Sequence, residues 1–230
     1  AKYALGSVLG HVLMHQTING NEAILQMEQA GDYPDIIVGC TGGGSNLAGL
    51  MFPFLGQQLR GGQKIDIIGC EPLSCPSFTK GKYAYDHGDM ARMTPLIKMH
   101  TLGSDFLPPA NHSGGLRYHG MSYHLSHLYD LGLMRAKAYG QKDCFEAGVI
   151  FGKQEGIIPA PEGNHAVKGA IDAALECKEK GESKTILFNL CGHGHFDMTA
   201  YDDYFNGNLA DDFYDEESAN KSLSHLPEIA

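Results

Sequence analysis

The chain has 230 residues, 43% of them hydrophobic and 19% charged, with a formal net charge of −10. That is enough for one large α/β domain or two small ones around a buried core. The acidic balance argues against a nucleic-acid surface, which needs a basic stripe, and no run of eighteen apolar residues offers a membrane span.

Six scattered cysteines (Cys40, Cys70, Cys75, Cys144, Cys177 and Cys191) with no CxxC pair fit reduced thiols in a cytoplasm. In that setting the sequons at Asn111 and Asn220 carry no meaning, and no secretory leader is expected. In chain order, Gly6-Ser7 reads as a capped turn before a helix over residues 5–18, which Gly20 stops; Asn21 then caps a second short helix ending at Gly31. His11 and His15 share a helix face, a spacing that can hold zinc, but no third ligand is near in sequence. A strand over 35–41 runs into Gly42-Gly43-Gly44-Ser45-Asn46 and a helix over 45–59, with a kink expected at Pro53. Strand, glycine turn and helix start are the parts of an anion cradle, because glycine lets the backbone approach closely and the helix N-terminus favours negative charge. Two familiar glycine loops are excluded: there is no Gly-Lys-[Ser/Thr] ending, and the third glycine of a dinucleotide fingerprint would fall on Leu47. Residues 64–71 form a second buried strand, giving a parallel βαβ unit.

From Pro72 to His119 prolines and glycines break all periodicity, and the polar, glycine-rich stretch 111–120 reads as a site loop. Order returns with a helix over 121–131, a strand over 134–139 and a helix over 143–154. Then come a turn carrying Glu155 and Glu162, an amphipathic helix over 163–180, and a buried strand over 184–190 that leads into Cys191-Gly192-His193-Gly194-His195. The acidic last twenty residues read as a loosely held tail. The fold class is therefore α/β: an open, mostly parallel sheet of about four strands with helices on both faces. Residues 1–34 form an N-terminal helical segment, 35–209 a phosphate-binding domain and 210–230 the tail. The turns at 42–46, 111–120 and 191–195 should share the carboxyl edge of the sheet, where such folds bind ligands.

Several ordered motifs then carry a resemblance. GGGSN after a strand, EGIIPAPEGNHA, and NLCGHGHFD after the last strand resemble the carboxyl-terminal half of tryptophan synthase beta chains. YALGSVLGHVLMHQT and SGGLRYHG resemble the second subfamily, the one less tied to an alpha subunit; the likeness runs from about Tyr3 to Leu209. The resemblance implies the C-terminal domain of a fold-type II pyridoxal-phosphate enzyme, a lyase that joins indole to L-serine. It further implies that Gly42, Gly43, Gly44, Ser45 and Asn46 hold the cofactor phosphate, that Glu155 lies near the ring, and that Gly6, Ser7 and Gly115 line the pocket. Backbone carbonyls near Gly42 and Tyr118 would bind a monovalent cation.

Two positions depart from the family pattern. Cys191 stands where the pyridine nitrogen usually meets a serine hydroxyl; a thiol is a poor partner there, so the ring should stay unprotonated and the electron sink modest. Arg117 replaces an aspartate that receives the serine hydroxyl, and an arginine there would favour an anionic leaving group such as that of phosphoserine. What is missing is larger. None of the thirteen lysines follows a histidine, as the Schiff-base lysine of the family does, so this chain alone is expected to be inactive. It reads as one chain of a split beta subunit, completed by a chain carrying the lysine, or as a fragment. Cytoplasmic homo-oligomers of complete units, with weak coupling to an alpha subunit, are the expected setting. A non-catalytic ligand-binding module and a metal site at His193, His195 and Asp197 are the competing readings.

Overall fold

The computed structural model describes residues 5–211 and 213–228; Tyr3 and Ala4 of the opening motif lie outside the described residues. Four strands make one sheet: β1 (Ile36–Cys40), β2 (Asp66–Pro72), β5 (Arg135–Tyr139) and β6 (Ile186–Phe188), in the order β5-β2-β1-β6. Every pairing in it is parallel, with Ile36 opposite both Asp66 and Ile186, and Ile68 opposite Arg135. The α/β class and the four-strand count expected from the sequence are those observed.

Alternation along the central strands sorts the core into two layers. Ile37 and Ile67 point to one face, where they pack with Leu13 of α1 (Gly10–Ala30), Leu47, Met51 and Phe54 of α2 (Ser45–Leu59), and Leu125 of α4 (Tyr123–Asp130). Ile36, Val38, Ile68 and Cys70 point to the other, against Cys144 of α5 (Gln141–Glu155) and Ala173 and Cys177 of α6 (Pro161–Lys180). Strands buried on both faces read as continuous apolar runs, which is what makes them legible in the sequence. Arg135, at the edge of the sheet, holds Asp66 through two nitrogens at 2.8–3.1 Å.

Three expectations need correction. Gly20 does not stop a helix; α1 runs through it to a left-handed cap at Gly31. A Cβ at Gly20 would lie 2.4 Å from the Leu50 carbonyl oxygen, so glycine there marks the place where α1 and α2 cross. The broken stretch after Pro72 contains a short helix α3 (Ser77–Lys80) and an antiparallel hairpin, β3 (Lys82–His87) with β4 (Leu96–Thr101). Its strands are half exposed and are held by tertiary bonds, such as Thr101 Oγ1 donating to Asp86 at 2.7 Å, rather than by apolar alternation. Helix α7 (Met198–Phe205) follows the last turn. Within the acidic tail, α8 (Glu216–Leu223) buries Ala219 against Leu102 and Phe106.

Candidate cofactor site

The three glycine-rich turns meet at the carboxyl end of the sheet. Gly42 backs onto the backbone of the 111–120 loop, where a Cβ would come within 2.7 Å of the Gly115 carbonyl oxygen. Gly43 is covered by the turn before α1: a Cβ would come within 2.5 Å of Ser7 Oγ. Gly6 sits at the start of that turn, its carbonyl accepting from Leu9 N at 3.3 Å. Gly44 is the N-cap of α2 with φ 102°, a conformation that strains any side chain. No side chain caps α2 and its first turn holds no acid. Its opening N–H groups therefore point outward uncompensated, beside the Ser45 hydroxyl and the Asn46 amide. That donor set, free of negative charge and closed in by backbone, suits a phosphate monoester.

On the far side of the cradle the last strand contributes two contacts. Asn189 donates to Asn46 through Nδ2, to Oδ1 at 3.2 Å and to the carbonyl at 3.3 Å. Cys191 Sγ lies 3.5 Å from Cys40 Sγ. The two thiols ionise unequally. Hydrogen bonding from Cys40, the more buried of the two, holds the half-buried Cys191 thiol below its ordinary range, while that bond and burial push Cys40 well above it. The Glu155–Glu162 segment is laced to the same turn, with Gly194 N donating to Ile158 O at 2.8 Å and Ala160 N to Gly192 O at 3.3 Å.

Of the two carboxylates in that segment, the structure brings Glu162 to the loops. Its Oε1 accepts from Gly115 N at 2.8 Å, whereas Glu155 is exposed at the C-terminal end of α5. Arg117 is exposed, its guanidinium donating to the Pro108 carbonyl at 2.6 Å. Tyr118 N donates to Leu116 O at 2.9 Å, and the Tyr118 hydroxyl donates to Gly88 O. Sequence reasoning assigns no role to Asn189, Glu162 or Cys40. An asparagine closing an apolar strand run is the one available signal for Asn189; the Cys40–Cys191 pairing spans 151 positions and has none.

The metal-like HxHxD stretch is open: His193 and His195 rings lie 4.5 Å apart, and among the described residues no three His, Cys, Asp or Glu side chains gather with metal-holding geometry. A cavity of about 670 Å³, an apolar groove between α2, the hairpin and α4, includes none of the three turns.

A family model described as pyridoxal-phosphate dependent enzyme matches residues 12–192, a span that contains the glycine cradle, Gly115 and Cys191. The chain belongs to the pyridoxal-phosphate dependent enzyme family. It is 58% identical over 213 residues to tryptophan synthase beta chain 2 of Aquifex aeolicus, covering 91% of this chain and 49% of the relative. It is 57% identical to tryptophan synthase beta chain 2 of Methanosarcina mazei, covering 90% and 47%. The chain thus spans about half the length of the curated relatives it matches. Among solved structures, the fold is shared with a fungal L-serine ammonia-lyase from Rhizomucor miehei, with TM-score 0.62 at 14% identity over 88% of this chain and 58% of that one. It is also shared with a threonine deaminase from T.th., with TM-score 0.57 at 17% identity over 82% and 53%. The family's cofactor is pyridoxal phosphate, and the uncapped, acid-free start of α2 fits its phosphate.

Proposed function

We propose that this chain is the cofactor-binding half of a tryptophan synthase beta-type lyase, which joins L-serine or phosphoserine to indole once a second chain supplies the Schiff-base lysine. The observation that carries the reading is the meeting of three turns at the uncapped start of α2 with Cys191 opposite. Kinship with the beta chains supports it. When bound, the cofactor supplies an electron sink for chemistry at the amino-acid carbon.

The residues of this chain have holding roles. The N–H groups of Gly43, Gly44, Ser45 and Asn46 take the phosphate, with the Ser45 hydroxyl as an extra donor. Gly42 keeps the floor thin, and Gly6, Ser7 and Gly115 close the sides. Cys191 faces the ring edge and offers it no strong proton donor. Glu162 fixes the 111–120 loop by holding Gly115 N, a role for a carboxylate of the motif that begins at Glu155. Glu155 stands exposed, open to a ring-side role only in a complete subunit. Arg117, tethered by one arm to Pro108, is left to favour an anionic leaving group. The Gly42 and Tyr118 carbonyls hold a monovalent cation. Homo-oligomerisation of complete units, loose alpha-subunit coupling and a cytoplasmic location belong to the same reading.

The need for a partner rests on the lysines. Lys137, Lys168 and Lys184 are committed to Glu176, Asp172 and Glu182, and none of the thirteen follows a histidine. The test mixes the purified 230-residue chain with pyridoxal phosphate, indole and either L-serine or O-phosphoserine. No tryptophan is expected until a chain equivalent to the other half of a curated relative is added. Tryptophan formed by this chain alone would overturn the partner requirement. Equal turnover of the two serines by the completed enzyme would remove the role of Arg117.

A further inference from the structure

Cys40 ends β1, and Cys191 lies three residues past the end of the neighbouring strand β6. β1 and β6 pair through Val38 and Phe188, and Asn189 N donates to Val38 O at 3.0 Å, so the next residues of each chain leave the sheet side by side. Their sulfurs stand 3.5 Å apart. A disulfide bond measures about 2.05 Å, so closure needs a movement of roughly 1.5 Å, within reach of side-chain rotation and a small shift of the turn. The turn can supply that shift, because Gly192 follows Cys191 with φ 70°. The pair is also asymmetric in access. Cys191 is half buried at the mouth of the cradle, whereas Cys40 is only 1% exposed beneath it. Cys70, Cys75, Cys144 and Cys177 are all buried.

An accessible sulfur with a buried sulfur behind it is the arrangement of a redox-sensing thiol and its resolving partner. We propose that Cys191 and Cys40 form a reversible disulfide in response to hydroperoxides, a modification site on the far side of the cradle whose oxidised form excludes the cofactor ring. In the first step Cys191 sulfur attacks one peroxide oxygen. The O–O bond breaks, hydroxide leaves and is protonated to water, and Cys191 becomes a sulfenic acid. In the second, Cys40 sulfur attacks Cys191 sulfur, the S–O bond breaks, and hydroxide departs with the Cys40 proton as a second water. Two thiols lose two electrons and one peroxide becomes two waters. The state of Cys191 as the more readily ionised thiol suits it to the first step, and the 3.5 Å contact between the two sulfurs already aligns the second.

Exclusion of the ring rests on the reading of these turns as the cofactor site. In the disulfide, Cys191 sulfur and the turn that carries it are drawn toward Cys40, so the wall that the ring edge would meet is moved out of place. Cys70 is the competing partner, since it sits opposite Cys40 in the β1–β2 register. Distance decides between them: the oxidised sulfur is that of Cys191, and Cys40 Sγ already stands 3.5 Å from it.

The test uses the full chain, fully reduced and then treated with hydrogen peroxide. Intact mass should fall by about 2 Da, and peptide mapping should join the Cys40 and Cys191 peptides. The bond should be absent in Cys40→Ser and in Cys191→Ser, and dithiothreitol should reverse it. Uptake of pyridoxal phosphate, measured by equilibrium dialysis, should weaken at least fivefold in the oxidised chain and recover on reduction. A Cys40–Cys70 bond, or Cys191 passing to sulfinic acid with Cys40 still free, would overturn the proposal; so would a cross-linked chain that takes up the cofactor as tightly as the reduced one. If the reduced chain takes up no pyridoxal phosphate, the cofactor reading fails and exclusion falls with it, while mass alone still decides the disulfide.

Discussion

Glu71 is fully buried near the end of β2 and accepts from Phe78 N and Thr79 N at 2.9 Å and from Thr79 Oγ1 at 2.7 Å. It ties the start of α3 to the sheet a few residues from the cradle. Burial pushes its carboxyl up to about 7, against the pull of those hydrogen bonds. The folded chain therefore holds the proton more tightly than the unfolded one, so this stabilisation is full below the ordinary carboxylate range and is lost as pH rises through 7. A shift of that size corresponds to roughly 3 kcal/mol. His165 works in the opposite direction. Buried with Nδ1 on the Pro161 carbonyl, it is pushed down to about 4, so its neutral form belongs to the fold and stability is lost as pH falls below 6.5. The two cancel in part between pH 4.5 and 6.5, and the wild-type profile alone hides both. Glu71→Gln should separate them. Relative to wild type, urea denaturation should show the variant gaining on the order of 3 kcal/mol between pH 5 and 8. A wild-type–variant difference that does not change with pH would sink the assignment.

Helix α1 shows how one residue type can be read two ways. In the sequence Gly20 looks like a stop signal, because glycine is a poor helix residue and a good cap. In the fold it is the thin point where two helices cross. A Cβ there would meet the Leu50 and Gly49 carbonyl oxygens at 2.4 and 2.7 Å, and a Cβ at Gly49 would meet Gln16 O at 2.5 Å. Pro53 has no N–H to return to the Gly49 carbonyl, so that carbonyl is free to lie beneath Gly20. Nothing within α1 itself announces this; the information sits about thirty residues away in α2. Gly20→Ala pits a helix-propensity gain of about 1 kcal/mol against overpacking onto backbone that cannot rotate aside, which costs about 1–3 kcal/mol. Net destabilisation of about 1 kcal/mol is expected from chemical denaturation. An alanine variant more stable than the parent would show that α1 and α2 separate freely. The β3–β4 hairpin escapes sequence reading for a related reason: its order comes from Asp86, Thr101 and the bridge from Thr101 to Gly120, all contacts across the chain.

For the molecule as a whole, the parts dictated by local pattern were legible and the parts made by convergence were not. Doubly buried strands and the helix from Ser45 to Leu59 follow from periodicity and glycine punctuation, and a parallel sheet then forces its turns to one edge. Glu162 and Asn189 acquire meaning only once α6 and β6 are laid beside the cradle, because a carboxylate in a first helical turn and an asparagine ending a strand are ordinary by themselves. The same architecture couples the site to global stability. The cradle is bounded by the start of α2, the turn before α1, the 111–120 loop and the segment after β6, so a ligand seated there touches segments drawn from both ends of the chain. A ligand that binds only the folded state stabilises by RT ln(1 + [L]/Kd), about 2.7 kcal/mol at one hundred times Kd. Pyridoxal phosphate should therefore raise the thermal midpoint of the entire chain in one transition, and inorganic phosphate should raise it less, since it fills only the start of α2. Gly43→Val should abolish both shifts: its side chain would occupy the space held by Ser7 and the cradle could not close. If pyridoxal phosphate shifts the Gly43→Val variant as much as the parent, the cofactor is held elsewhere, and the glycine turn is only the bend that joins β1 to α2.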